Sequence, residues 1–128
     1  MVENFDPINL TQKLVNFNSV TPNDNGAIDF INKTLKSIGF ESEILNFSSP
    51  DSYEVKNLFS TIGSNGKHFA FAGHTDVVPV GNKDSWKFDP FGGQIENGKI
   101  YGRGTGDMKG NIACFISATN KFLQNYGK

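Results

Sequence analysis

Apolar residues in the first forty positions recur at helical spacing. In "FDPINLTQKLVNF", Leu10, Leu14 and Phe17 share one face, Asp6 stands where a helix cap belongs and Pro7 in the first turn. "SVTPNDNG" follows as turn chemistry. "AIDFINKTLKSIGF" then puts Ile28, Ile31, Leu35 and Ile38 on one face and ends at Gly39, a suitable helix stop. Beyond Gly39 the period shortens. "ESEILNFSS" and "VKNLFSTIG" read as strands flanking a polar loop, "PDSYE". "KHFAFAG" is a nearly continuous apolar run, which predicts a strand buried on both faces. "GQIENGKIYGRG" predicts a hairpin turning at Asn97-Gly98. A last stripe, Ile112, Phe115, Ile116, Thr119, Phe122, Leu123 and Tyr126, predicts a helix starting near Asp107. Helices followed by strands, then strand to helix, indicate an α/β layer fold without internal repeats.

The remaining global features narrow the function classes. At 128 residues the chain suits one domain with a single core. Its 37% hydrophobic and 20% charged residues place it among soluble globular chains rather than disordered ones. A net charge of −1, with both signs interspersed, argues against nucleic-acid and membrane-surface partners. No apolar run approaches the roughly 20 residues of a membrane span. The start, "MVENFDPINL", lacks the basic-then-apolar order of a signal peptide, so a cytoplasmic protein is expected. The lone Cys114 excludes an internal disulfide and a cysteine-built zinc cage.

Two constellations can carry chemistry. His74 and Asp76, in "FAGHTDVVPVG", follow the apolar run, at the strand end where open α/β sheets bind ligands. Imidazole is a good zinc ligand, and a nearby carboxylate can orient it through the other ring nitrogen. A polar loop held by hydrogen bonds accounts for the same tripeptide. Asp107 stands behind Gly102, Gly104 and Gly106 in "YGRGTGDMKG". It reads either as the N-cap of the last helix or as a carboxylate aimed into a site, bridging two cations. A phosphate loop is the weaker third reading, because neither G-x-x-x-x-G-K-[ST] nor a complete G-x-G-x-x-G is present. His68 reads as a partnered strand histidine and Cys114 as a small buried hydrophobe. Trp86 and the turn from Asp89 to Phe91 read as loop anchors, and Ser85 has no nucleophile motif around it.

"FAGHTDVVPVG", "SWKFDPFGGQIENGKIYGRGTGDMKG" and "IACFISATNKF", in this order and spacing, closely resemble the dinuclear zinc peptidase and deacylase family. That family includes acetylornithine deacetylase and aminoacylase. The resemblance covers essentially the whole chain and is strongest from Phe69 to Phe122. It implies a three-layer α/β/α catalytic domain, here truncated after its third helix and without the lid and dimerisation domain. It also implies that His74 ligates one Zn2+, that Asp76 orients His74, and that Asp107 bridges two metal ions. Co2+ is a possible substitute. The family often has a cis peptide after this aspartate, here Asp107-Met108.

The resemblance further implies amide hydrolysis of a small N-acylated amino acid by a homodimeric enzyme. "VVPVG…W" and "IACF" favour the family's desuccinylase branch. Family members are considerably longer, with a general base and further metal ligands beyond the last helix seen here. Residues 1–128 are therefore expected to be the N-terminal part of a catalytic domain, inactive alone and prone to self-association. Another N-acyl substrate, or a non-catalytic interaction domain, would carry the same residues.

Overall fold

A computed structural model describes residues 5–127; the first residues of the acidic N-terminus lie outside it. Helix α1, Pro7–Asn16, begins as its sequence requires: the Asn9 amide donates to Asp6 Oδ2 at 3.0 Å, and Pro7 needs no partner in the first turn. Leu10, Leu14 and Val15 are fully buried. Helix α2, Ala27–Ser37, buries Ala27, Ile31, Thr34 and Leu35 and ends before Gly39, whose φ of 95° takes the left-handed conformation that ends helices. Helix α3, Gly110–Tyr126, lays Ile112, Ala113 and Ile116 against α1. These three with Leu10, Leu14, Ile31 and Leu35 form the core.

Strands β1 (Glu41–Ser49) and β2 (Ser52–Thr61) pair antiparallel, from Glu41 opposite Thr61 to Ser49 opposite Ser52, and pack on α2. Only Pro50 and Asp51 connect them, so most of the expected "PDSYE" loop is strand β2. Strands β3 (Gln94–Glu96) and β4 (Lys99–Tyr101) form the expected hairpin. Both residues of its turn have positive φ, 51° at Asn97 and 72° at Gly98, the condition for a type I′ connection.

Three expectations fail. "KHFAFAG" is neither paired nor buried: every residue from 67 to 74 is exposed, Phe69 to 87%. Burying such a run requires strands at both edges and layers on both faces. Among the described residues no strand pairs with it, and Phe71 stacks on Phe115 at 4.5 Å. His68 is accordingly exposed rather than a sheet histidine. Cys114 is also exposed, because it lies on the face of α3 opposite the Ile112–Ile116 contact. The α3 stripe loses its cover beyond Ile116: Phe122 and Tyr126 are exposed and touch each other at 5.0 Å. No described helix is long and apolar enough to cross a membrane.

Candidate metal centre

The segment after α1 fixes the first half of the site. Val77 donates its amide to the Ser19 carbonyl at 2.9 Å, and Thr21 donates to the Val77 carbonyl at 3.2 Å, a single parallel bridge. The buried Ser19 hydroxyl donates to the Thr75 carbonyl at 2.7 Å. Thr75 and Val77 are thereby held inward, and the alternation of an extended chain turns His74, Asp76 and Val78 outward. The imidazole Nδ1 lies 3.0 Å from the Asp76 carbonyl oxygen and 3.3 Å from its Oδ1. The backbone carbonyl is thus the nearer acceptor of the pair. Asp76 Oδ2 accepts from the Thr21 hydroxyl at 2.8 Å.

The second half is the turn Thr105–Lys109. Gly104, at φ 84°, has no room for a Cβ without a shift: one there would lie 2.6 Å from Val77 Cγ1. At Gly102 a Cβ would lie 2.5 Å from Val15 Cγ1, so the turn sits directly on α1 and the His74 segment. Asp107 (φ −138°, ψ 94°) and Met108 are not helical, and the peptide between them is cis. Helix α3 starts later, at Gly110, so Asp107 does not cap it. The Asp107 carboxylate instead reaches His74: Oδ1 lies 3.0 Å from Nε2.

With both ring nitrogens facing acceptors, His74 is set up to hold two protons. Burial works to lower its pKa. The hydrogen bond to the Asp76 carbonyl, that to the Asp107 carboxylate and the charges of both aspartates outweigh it, so the pKa is raised above the usual 6.5. Lys109, two residues beyond Asp107, behaves oppositely: burial pushes its ammonium down to about 8 against the opposing pull of Asp24. His74, Asp76, Arg103 and Asp107 line a cavity of about 290 Å³. Arg103 stacks over Trp86 at 5.1 Å and donates to the Pro79 carbonyl at 3.3 Å, and Trp86 Nε1 donates to the Val80 carbonyl at 2.9 Å. The anchoring role expected of Trp86 is therefore met.

An imidazole nitrogen and a carboxylate oxygen 3.0 Å apart, both open to the cavity, suit neighbouring positions around a zinc ion. A metal would take the place of the proton on Nε2. The residues fit part of a coordination sphere. Among the described residues, no group of three or more His, Cys, Asp or Glu is arranged to hold an ion. The structure brings His74, Asp76 and Asp107 together and leaves His68 and Cys114 elsewhere. Sequence reasoning passed over Ser19, Thr21, Arg103 and Lys109. No local signal marks Ser19, Thr21 or Lys109, whose partners lie 56, 55 and 92 residues away.

Residues 70–128 match the family described as Peptidase family M20/M25/M40. The matched segment carries His74, Asp76 and Asp107. The whole chain is also similar to curated proteins named succinyl-diaminopimelate desuccinylase. The chain is 49% identical over 116 residues to that of Ehrlichia canis (strain Jake), covering 91% of this chain and 30% of the relative. It is 48% identical over 122 residues to that of Rhodospirillum centenum, covering 95% of this chain and 32% of the relative. The chain thus spans about a third of the length of these relatives. Among solved structures, human carnosine dipeptidase 1 superposes with a TM-score of 0.82 at 21% identity, over 95% of this chain and 29% of that one. That likeness shows the fold, an α/β arrangement as expected.

Proposed function

We propose that residues 1–128 form the N-terminal part of the catalytic domain of a metal-dependent amide hydrolase. Its reaction consumes one water and splits N-succinyl-LL-2,6-diaminopimelate into succinate and LL-2,6-diaminopimelate, a step of lysine and diaminopimelate biosynthesis. The setting is cytoplasmic and the longer protein a homodimer. The observation that carries this reading is the contact between His74 Nε2 and Asp107 Oδ1 at 3.0 Å, in a chain 49% identical to a desuccinylase over 116 residues.

His74 and Asp107 would hold the metal, His74 as ligand to one ion and Asp107 as the carboxylate shared by two. When bound, Zn2+ or Co2+ supplies Lewis acidity toward the scissile carbonyl and acidifies water near neutral pH. The Asp76 carbonyl and carboxylate orient the imidazole by accepting from Nδ1–H, which leaves the Nε2 lone pair for the metal. Thr21 in turn holds Asp76. Two protein ligands fall short of the three that a catalytic zinc normally takes, so the 128-residue chain alone is inactive.

The test is a chimera in which this chain replaces the matching segment of the R. centenum relative. With zinc or cobalt it should release succinate from N-succinyl-LL-2,6-diaminopimelate and leave N-acetylornithine intact. A folded, metal-loaded chimera that prefers another N-acyl amino acid would overturn the substrate assignment. One without any hydrolase activity would overturn the function.

A further inference from the structure

We propose that Phe17–Thr21 is a strap that sets the separation of His74 and Asp107, and that Lys109 is the positioning residue tying the Asp107 turn to it. The inference rests on the reading of these two residues as a metal pair.

The strap leaves the C-terminus of α1 and meets both halves of the site. On one side its Ser19 and Thr21 make the hydrogen bonds that hold Thr75, Asp76 and Val77. On the other, the Lys109 ammonium donates to the Phe17 carbonyl at 2.7 Å, across 92 residues of sequence. The Lys109 amide closes the turn by donating to the Gly104 carbonyl at 2.8 Å. Lys109 is thereby fixed at both ends, with Asp107 on the arc between Gly104 and Lys109. Direct bonding between the two halves is sparse by comparison. Among the described residues, besides the His74–Asp107 contact, it includes the 3.3 Å bond from Arg103 to the Pro79 carbonyl.

Stability alone gives little reason for a lysine here. Lys109 is fully buried, and desolvating an ammonium is costly, so an apolar side chain of similar length would hold the core at least as well. A directional donor aimed at a helix C-terminus offers something methionine does not: it fixes where the backbone of the turn lies. Phe17 is the residue that follows α1, where the helix dipole favours a cation.

The experiment uses NMR on the isotope-labelled, metal-free chain at one fixed pH. The unsubstituted chain should show a Lys109 ammonium 15N signal correlated through the hydrogen bond with the Phe17 carbonyl carbon. Lys109→Met should leave the amide spectrum of α1 and α2 in place. It should also move the His74 Nε2 shift to its value in Asp107→Ala, while Lys109→Arg stays near the parent. A purely structural lysine would lower Tm in Lys109→Met without moving Nε2, and that result overturns the proposal. Should Lys109→Met not fold, the unsubstituted chain decides, since absence of the Lys109–Phe17 correlation is equally fatal. No metal or substrate enters the measurement, so an inactive chimera leaves its outcome unaffected.

Discussion

His74 Nε2 lies 3.0 Å from Asp107 Oδ1 although 33 residues separate them in sequence. The contact joins the segment bridged to Ser19 and Thr21 with a turn closed by Lys109 on Gly104. Two residues from distant parts of the chain thus share one cavity wall.

The first prediction concerns pH and metal. Because the His74 pKa is raised, metal uptake must displace a proton and should weaken as pH falls through and below the raised value. Zinc or cobalt titrations at several pH values should show this dependence, and His74→Ala should remove it.

The same group affects the stability of the metal-free chain with the opposite trend. A histidine whose pKa rises on folding contributes fully below the unfolded value of 6.5, and that contribution is lost as pH climbs through the folded pKa. His74 and Asp107 are largely exposed, so the contribution belongs in the ~0.2–1 kcal/mol range of surface pairs. Urea unfolding of the parent and His74→Gln should differ slightly at acidic pH and converge at alkaline pH.

Glycines of the Asp107 turn should differ sharply. Gly104→Ala meets Val77 Cγ1 at 2.6 Å and must hold φ 84°, so it should cost about 2–4 kcal/mol, combining left-handed strain with overpacking. Gly106→Ala meets nothing within 4 Å and should stay within ~0.5 kcal/mol of the parent. Equilibrium unfolding of the two variants checks the contrast.

Uncovered aromatics predict association. Phe69 is 87% exposed and Tyr126 77%, with Phe122 beside the latter. Phe69→Ser combined with Phe122→Ser should reduce concentration-dependent self-association in sedimentation velocity while leaving α1 and α2 unchanged by circular dichroism.

The legible parts of the fold were those set by local chemistry. Asp6 with Pro7, the Ile31 and Leu35 face, Gly39, and the Asn97-Gly98 turn each act within a few residues, and each stands where the pattern placed it. "KHFAFAG" misled because an apolar run states only a demand for burial, whereas meeting that demand depends on strands distant in sequence. At the site, His74 and Asp107 were visible through family motifs, although Asp107 read by itself favoured a helix cap, which α3, starting at Gly110, does not use. Ser19, Thr21 and Lys109 were not visible, since their partners lie 56, 55 and 92 residues away and no local periodicity encodes such bonds.

Metal content of the purified chimera bears most directly on the site itself. Elemental analysis of the parent chimera, His74→Ala and Asp107→Ala, each checked for folding, should find bound zinc in the parent and a marked loss in both variants, with succinate release falling in step. Full zinc retention in a folded Asp107→Ala chimera would contradict the assignment of this pair as a metal centre.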